Sequence, residues 1–354
     1  MKIGILGTGN GGTALAAEIS QKGYEVIIGD LPDFQENINF IKRQGGVYFL
    51  HNDRKEFKEV KAVENLGDVF DNTEIVFISA PAYGIKRIAR ESRSYIKKGH
   101  KIILIPGSVG GALEFKKELG IDYLDEEIIV AETSTLPYAA RLIEKGFVAV
   151  YLYVKRFMIA ALPSTNNKKI VDFIKTIWPV ALEGKNVLET SLSCGNPVIH
   201  PPITLLNTGL IERTKGNFKF YAEGVTKGVG NLIKALDEER LSLGKALNID
   251  LLSEPEQGVK QGYMEKADYW EGYSESLVFK NIMAPPSLNY RFITEDVAYG
   301  LVFWSSLGKL LGIETPVIDA VIKIASVVVG KNLRQEGTRT VESLGLTKEL
   351  IKRL

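Results

Sequence analysis

His200 is one of three histidines in a chain of 354 residues and lies in the segment Asn196-Pro197-Val198-Ile199-His200-Pro201-Pro202. Histidine is the side chain best suited to moving protons near neutral pH. Because the prolines restrict φ and glycines nearby permit turns, we expect a constrained backbone that aims the imidazole instead of leaving it on a helix surface. A buried histidine that caps a turn is the plainer interpretation. A nucleotide-binding pattern before this segment and an Arg-x-x-x-x-Asp segment after it favour catalysis.

A glycine-rich pattern opens the chain. The apolar run Lys2–Leu6 predicts a strand, Gly7-Thr8-Gly9-Asn10-Gly11-Gly12 follows at once, and residues 13–19 predict a helix. This order is typical of a dinucleotide site, where glycines let the backbone approach a pyrophosphate at the N-terminus of the helix. We therefore predict that Gly7, Gly9, Asn10, Gly11 and Gly12 bind the cofactor.

Asp30 ends the second predicted strand, eighteen residues after Gly12, and an acid near that position accepts hydrogen bonds from the adenosine ribose. Its charge would repel a 2′-phosphate, and Leu31 supplies no cation beside it. NAD is therefore favoured over NADP. Lys42 and Arg43 lie close enough in sequence to keep NADP as the lesser alternative.

Length and composition limit the class of protein. A chain of 354 residues with 45% hydrophobic residues suits two domains, and a net charge of +1 gives no electrostatic footprint for nucleic acid or an anionic membrane. Cys194 is the only cysteine, which excludes an intrachain disulfide and a cysteine-rich metal site and favours a reducing compartment. We expect no metal site. Because no signal segment opens the chain, we also expect a cytoplasmic protein. Residues 317–329 are too short to span a membrane and predict a buried helix between Pro316 and Gly330.

Predicted strands alternate with helices in the first half of the chain. They fall near residues 59–63, 74–79, 101–105, 127–131, 148–154 and 180–188, after a polar helix and loop region at 34–52, and the pattern is helical from residue 203 onward. This predicts an α/β fold, a Rossmann-type doubly wound parallel sheet followed by an all-α helical domain. We place a dinucleotide-binding domain at 1–188 and a helical substrate domain at 189–354. The loops at 80–84 and 106–111 line the cofactor or are plain connecting turns.

Four segments resemble the opine dehydrogenase family, which includes octopine and nopaline dehydrogenases. They are residues 106–115, 131–138, 196–201 and 291–297, and the likeness extends over nearly the whole chain. Ile85 departs from the pattern, since many relatives carry histidine there. The resemblance implies a Rossmann domain joined to a helical domain, and NAD(P)H-dependent reductive condensation of a 2-keto acid with the amino group of an amino acid.

Motif by motif, the resemblance assigns roles to single residues. It implies that His200 is the catalytic histidine, that Asp296 is its partner carboxylate, that Arg291 binds the keto-acid carboxylate, and that Asn196 hydrogen-bonds near the reacting centre. One imidazole can donate and take back the protons of this reaction, a carboxylate on its other nitrogen fixes the tautomer, and the arginine fork suits a carboxylate. Glu132 is a weaker candidate for the substrate ammonium.

Plainer roles remain open. Asp296 could cap the helix that follows it, and Arg291 could be a solvated or interface arginine. Trp270 and Tyr273 could line an amino-acid pocket or belong to the core. We expect the two other histidines, His51 and His100, to lie in exposed turns.

Two other functions compete with the leading one. The chain could be a dehydrogenase of a hydroxy or phosphorylated substrate with Lys215 or Lys227 as the acid/base, or a non-catalytic NAD-binding protein that reports redox state. The partners that we expect are small-molecule substrates, with no nucleic acid and no membrane, and with a homodimer as one option.

Overall fold

The structure is a computed structural model that describes residues 1–71 and 73–354. The chain divides into two compact units. The first comprises Met1–Gly107, Gly111–Thr190 and Leu354, and the second comprises Ser108–Gly110 and Ser191–Arg353. We propose the domain boundary between residues 188 and 189.

All the strands of the described residues belong to the first unit. They are β1 (Lys2–Leu6), β2 (Glu25–Gly29), β3 (Gly46–His51), β4 (Arg54–Glu59), β5 (Lys61–Ala62), β6 (Ile75–Ile78), β7 (Lys101–Leu104), β8 (Ile129–Thr133), β9 (Tyr138–Glu144), β10 (Phe147–Tyr153), β11 (Phe157–Leu162) and β12 (Ala181–Glu183). Eight of them form one sheet in the order β12-β11-β8-β7-β6-β1-β2-β5. Its pairs are parallel except for β8 with β11. The predicted doubly wound sheet is confirmed.

The central strands are buried along nearly their whole length. Every residue of β6, β7 and β8 is buried, as is β1 after its first residue. Strands that are buried along their whole length need cover on both faces, which helices supply in parallel sheets. The helices are α1 (Asn10–Gln21), α2 (Gln35–Gln44), α3 (Gly67–Phe70), α4 (Ala82–Ser92), α5 (Gly111–Glu118), α6 (Asn167–Ile177) and α7 (Val187–Leu192), with short 3-10 turns at Pro32–Phe34 and Ser164–Asn166.

A second sheet of four strands corrects the sequence prediction. Its order is β4-β3-β10-β9, so the strand expected near residues 148–154 lies in this sheet and outside the main one. The prediction of a helix and loop over 34–52 missed β3, which pairs with β4 as a hairpin. Asn52 and Asp53 form the two-residue turn with φ of 49° and 60°. Asparagine and aspartate tolerate this left-handed backbone, which two-residue hairpin turns require.

The second unit is helical, as predicted. Its helices are α8 (Asn196–Leu206), α9 (Thr208–Thr214), α10 (Lys227–Ala246), α11 (Glu254–Gln261), α12 (Glu271–Ser274), α13 (Arg291–Thr294), α14 (Val302–Leu311), α15 (Pro316–Val329), α16 (Leu333–Glu336), α17 (Val341–Leu344) and α18 (Lys348–Ile351), with a π-helical stretch at Asp296–Leu301. Among the described residues, no helix combines the length and apolar character needed to cross a bilayer.

Helix α15 differs from the expected buried helix. Its buried side is formed by Ile318, Val321, Ile322 and Ala325. On its other side Ile324 is 52% exposed and Val327 is 69% exposed. The apolar run is continuous in sequence, but a helix of this length packed on one side leaves its opposite face in solvent.

Candidate active site

The turn between β1 and α1 has the geometry of a dinucleotide site. Gly7 has φ of +117°, in the range that favours glycine. A Cβ atom on Gly12 would lie 1.9 Å from the carbonyl oxygen of Gly7, so only glycine lets the helix start so close to the turn. A Cβ on Gly9 would meet nothing within 4 Å. The open space at Gly9, beside a helix N-terminus that has no side-chain cap, fits a pyrophosphate.

Asp30 follows β2 and binds the turn. One carboxylate oxygen accepts hydrogen bonds of 2.6 Å from both the backbone N–H and the hydroxyl of Thr8, and the other accepts one of 2.8 Å from the Leu31 N–H. Burial raises the pKa of Asp30, although these hydrogen bonds act to lower it. A carboxylate offers about four acceptor positions. Asp30 can therefore hold the turn and still accept a ribose hydroxyl.

Asn10 is the first residue of α1. Its side-chain oxygen accepts a hydrogen bond of 2.8 Å from the backbone N–H of Leu142 in β9. Tyr138, also in β9, donates from its hydroxyl to the carbonyl oxygen of Gly11 at 2.9 Å. The second sheet thereby holds the residues that follow the glycine turn.

His200 and Asp296 lie side by side in the second unit. Nδ1 of His200 is 2.7 Å from Oδ2 of Asp296, and the two residues are 7% and 4% exposed. A carboxylate on Nδ1 selects the tautomer that carries its proton there and stabilises the imidazolium. The carboxylate of Asp296 is bound to the imidazole, so the helix-cap alternative does not describe its contact.

The backbone around His200 corrects one expectation. His200 lies within helix α8 and not in a turn, with Pro201 and Pro202 inside the helix. Each proline removes one hydrogen bond of the helix. Gly300 lies in the π-helical stretch that begins at Asp296, and a Cβ there would come within 2.6 Å of the Pro197 side chain. The missing side chain lets this stretch approach α8, and π-helical turns are frequent at functional sites.

Two aromatic residues that the sequence analysis did not select complete the surroundings of His200. Its Nε2 lies 3.1 Å from the hydroxyl of Tyr221. The ring of Phe292 is stacked on the imidazole, with centroids 3.9 Å apart and planes at 24°. Phe292 stands between Arg291 and Asp296 in a segment that was selected, so its motif could have indicated it. Tyr221 lies in an aromatic run after α9 and carried no such signal.

Arg291 is the first residue of α13. Its side chain is 45% exposed, and its Nε lies 3.2 Å from Oε2 of Glu295, which is buried. The ion pair with Glu295 holds the arginine side chain at Nε. Asn196 is half-buried at the start of α8, four positions before His200, and therefore on the same side of the helix.

Glu132 belongs to the first unit and lies in β8. It is 1% exposed, and its carboxylate accepts hydrogen bonds from the Ala112 N–H at 2.8 Å and from the Thr190 hydroxyl at 2.7 Å. These contacts give it a structural role in that unit. Its contact with a substrate ammonium stays a prediction.

The other candidates differ in exposure. Tyr273 is fully buried and Trp270 is 39% exposed. Lys215 and Lys227 are both exposed. His100, expected in an exposed turn, is 7% exposed, and its Nδ1 accepts a hydrogen bond of 2.8 Å from the Lys97 N–H. The prediction was wrong because it rested on the polar residues beside His100 in sequence, whereas the folded chain buries this histidine.

Comparisons with known proteins show which family the chain belongs to. The model of a family described as NAD/NADP octopine/nopaline dehydrogenase, alpha-helical domain, matches residues 183–329. A second, described as NADP oxidoreductase coenzyme F420-dependent, matches residues 2–105. The chain is 33% identical to an opine dehydrogenase of Arthrobacter sp. (strain 1C) over 351 residues, which cover 97% of this chain and 94% of that one.

Solved structures show the same fold. An octopine dehydrogenase with NADH and L-arginine superposes with a TM-score of 0.80 at 16% identity, covering 98% of both chains. A yersinopine dehydrogenase with NADP⁺ gives a TM-score of 0.76 at 14% identity, covering 99% of this chain and 97% of that one. With one-third identity over almost its whole length, the chain belongs to the opine dehydrogenase family and is an NAD(P)-dependent oxidoreductase of that type.

Proposed function

We propose that this protein condenses a 2-keto acid such as pyruvate with the amino group of an amino acid and reduces the product to a secondary amine, with His200 as the proton-transferring group. The observation that carries this proposal is the buried pair of His200 and Asp296, 2.7 Å apart. It supplies one titrating group with an oriented second nitrogen.

The reaction needs protons moved at two atoms. The amino nitrogen attacks the keto carbon and gives up one proton, which the former carbonyl oxygen takes to become a hydroxyl. This hydroxyl takes a second proton and leaves as water, while the nitrogen releases its second proton and the imine forms. Nε2 of His200 can carry each proton from the nitrogen to the oxygen. Between accepting and donating a proton, His200 is an imidazolium. Asp296 stabilises it because the carboxylate lies against Nδ1.

Substrate binding is assigned to Arg291 and Asn196. The guanidinium of Arg291, whose side chain is 45% exposed, can make two parallel hydrogen bonds to the keto-acid carboxylate. Asn196 lies one helical turn before His200 and offers an amide donor and acceptor to the reacting centre. A bound carboxylate at Arg291 would fix the keto acid for attack.

The residues of the first unit fit a dinucleotide. Gly7, Gly9, Asn10, Gly11 and Gly12 would hold the pyrophosphate, and Asp30 the adenosine ribose. When bound, the reduced nicotinamide supplies the hydride that the imine carbon accepts. The acidic Asp30 favours NADH, although the family includes an NADP⁺-bound structure.

A substrate matrix tests the proposal. NADH oxidation is measured with pyruvate alone, with pyruvate plus each amino acid, and with a phosphorylated ketone. Oxidation that requires both pyruvate and an amino acid is the expected result. Turnover of the phosphorylated ketone alone would favour the lysine-dependent rival, although Lys215 and Lys227 are both exposed. Tight NADH binding without turnover of any pair would favour the redox sensor.

Two coarser expectations are proposed with it. We propose a cytoplasmic location, because the single cysteine of the chain, Cys194, is a buried free thiol. We also propose a homodimer, for which the exposed residues Ile324 and Val327 of α15 are the first to test. Sedimentation velocity of the protein and of Val327→Glu would show whether an assembly exists and uses this face.

A further inference from the structure

Glu254 carries a buried carboxyl group that the proposed reaction does not use. It is the first residue of α11 and is 5% exposed. Its Oε2 is buried and has no hydrogen-bond partner among the described residues. Asp237 on α10 differs, because its carboxylate accepts hydrogen bonds from Nε of Arg240, from the Glu254 N–H and from the Tyr269 hydroxyl. A buried polar group without a partner is uncommon in folded proteins and calls for a ligand or water.

The carboxyl group of Glu254 lies beside the start of α8, the helix that carries the catalytic histidine. A Cβ atom on Gly195 would come within 2.8 Å of its Oε1, so glycine at this position leaves the room that the carboxyl group occupies. Gly195 directly precedes Asn196, the first residue of α8. Glu254 does not cap the helix, because the N–H groups of Val198 and Ile199 bind the carbonyl oxygen of Gly195.

The charge of Glu254 acts on the Nε2 side of His200. The hydroxyl of Tyr221 lies 3.1 Å from that nitrogen. Burial raises the pKa of this hydroxyl, and among the surrounding charges Glu254 raises it most, ahead of Asp296. The influence of a charge falls with distance, and Asp296 is bound to Nδ1, across the ring. Glu254 therefore lies on the side of the imidazole where the proposed reaction takes place.

The surroundings of Glu254 favour an amine as its ligand. Burial raises the pKa of Glu254 well above its ordinary value, Asp237 raises it further, and Arg240 offsets them in part. A carboxylate brought to this place would lie beside the buried acid Asp237, and the keto-acid carboxylate is assigned to Arg291. An amine fits in both forms, because a neutral acid donates its O–H to an uncharged nitrogen and an ionised acid accepts from an ammonium.

We propose that Glu254 binds the amino group of the amino-acid substrate and holds it as the uncharged amine. This role rests on the proposed function, in which the nitrogen attacks the keto carbon. An amino acid in water carries an ammonium, which has no lone pair and cannot attack. When the ammonium meets neutral Glu254, one proton passes to water and one is shared between the carboxyl oxygen and the nitrogen. With the shared proton on Glu254, the nitrogen has its lone pair and can attack.

Glu132 is the acid predicted from the sequence for the same amino group, and its contacts differ. Its carboxylate accepts hydrogen bonds from the Ala112 N–H at 2.8 Å and from the Thr190 hydroxyl at 2.7 Å. Oε2 of Glu254 has no such donor among the described residues. A direct comparison of the two acids is therefore part of the test.

Steady-state kinetics of the full chain with NADH and pyruvate test this role. The amines are L-alanine, L-phenylalanine and L-arginine, with any further amino acid that is active in the substrate matrix. They share the amino group and differ in side chain. Glu254→Gln is compared with Glu132→Gln and with Glu265→Gln, which changes an exposed acid of the second unit. Glutamine has the shape of the neutral acid, so the variant should fold, and thermal unfolding checks this.

Glu254→Gln should lower kcat/KM for every active amino acid about ten- to a hundredfold, while the keto-acid KM and the NADH dissociation constant stay unchanged. Glu265→Gln should change none of them. Equal behaviour of these two variants overturns the role, and so does a loss confined to L-arginine. A selective loss in Glu132→Gln alone assigns the amino group to Glu132. A parent that turns over no pair in the substrate matrix contradicts the proposed function itself, and this role with it.

The pH profile supplies a readout that a loss of packing would not change. In the parent, kcat/KM for the amino acid should rise with pH while Glu254 gives up its proton to admit the ammonium, and then level off. In Glu254→Gln it should go on rising until the free amino acid loses its ammonium proton. His200 is present in both proteins, and Asp237, Arg240 and Tyr221 face residue 254 in both, so the difference belongs to Glu254. Identical profiles overturn the role.

A second variant moves the carboxyl group without changing its charge. The Cβ of Gly195→Ala would lie 2.8 Å from Oε1 of Glu254, and the end of a glutamate side chain can turn aside. Gly195→Ala should lower kcat/KM for the amino acid, and it should add little to Glu254→Gln, because two changes that remove one contact are not additive. Fully additive losses would contradict the placement of the amine at this carboxyl group.

Discussion

The hydroxyl of Tyr221 lies 3.1 Å from Nε2 of His200, on the ring nitrogen opposite Asp296. Both nitrogens of the imidazole are thus held by side chains, and Phe292 covers one ring face. The substrate oxygen that exchanges a proton with Nε2 must approach beside this hydroxyl. Tyr221 is therefore placed to orient His200 before substrate arrives and to donate to the same oxygen afterwards.

Tyr221→Phe should lower kcat about fivefold, since it removes one neutral hydrogen bond of about 1 kcal/mol from the reacting nitrogen. NADH affinity should not change, because the dinucleotide residues lie in the other unit. The measurement is steady-state kinetics over a pH series. Tyr273→Phe is the matched control, because Tyr273 belongs to the same aromatic stack and its hydroxyl has no partner among the described residues. Equal losses in the two variants would assign Tyr221 to packing alone.

His200→Asn should bind NADH normally and lose roughly two to four orders of magnitude in turnover, the usual scale for general acid–base catalysis. Asp296→Asn should also lose activity, because an amide can support the wrong imidazole tautomer. The double variant should be little worse than the worse single one, since residues that act as a unit are not additive. Near-parental turnover by folded His200→Asn would exclude this mechanism.

Arg291→Met should raise the KM for the keto acid while NADH binding stays intact. A lost bidentate contact between charged groups costs about 2 kcal/mol, which is roughly a thirtyfold change in affinity. The removal of Arg291 also breaks its ion pair with buried Glu295, so unfolding is measured in parallel. The double variant Arg291→Met with Glu295→Gln separates that effect. An unchanged keto-acid KM would move Arg291 out of this role.

Asp30→Ser should weaken the preference for NADH over NADPH, because it removes the carboxylate that repels a 2′-phosphate. The structure adds a second effect. Asp30 also binds the Thr8 N–H and hydroxyl, so the variant should bind both cofactors less tightly and unfold at a lower temperature. The ratio of the two dissociation constants is the decisive measurement. A ratio equal to that of the parent would leave Asp30 as a structural residue of the turn.

Glu18 predicts a pH dependence of folding stability. Its pKa is about 7 in the folded chain against an ordinary 4.5, so the unfolded chain loses this proton first as the pH rises. The contribution of Glu18 to stability is present below the ordinary value and declines as the pH passes from 4.5 to 7, by at most about 3 kcal/mol. Denaturant unfolding at pH 5 and pH 8 should show this decline in the parent and not in Glu18→Gln. Parallel changes in both proteins would contradict it.

The nucleotide-binding turn was predictable because its requirements are local. Any chain with this turn requires a positive φ at position 7 and no Cβ atom at position 12, and glycine meets both requirements. Asp30 follows at the distance set by one β-α-β unit. The alternation of strands and helices over the first 190 residues is also a property of neighbouring residues. The hairpin at Asn52 and Asp53 was missed, although its turn chemistry is equally local, because every residue of β4 except Phe57 is charged and the segment therefore lacks the apolar alternation of a strand.

The site around His200 depended on the tertiary structure. Resemblance of motifs could pair His200 with Asp296, but the two residues are 96 positions apart and no local signal brings their side chains to 2.7 Å. The contacts of Tyr221 and the burial of His100 are likewise decided by distant segments. Local sequence sets backbone torsion and periodicity, whereas burial and side-chain contact depend on which segments the packed core brings together. The sequence therefore determined the fold class and the order of the motifs. Only the tertiary structure decided which groups hold His200, and that the carboxyl group of Glu254 lies beside the start of α8.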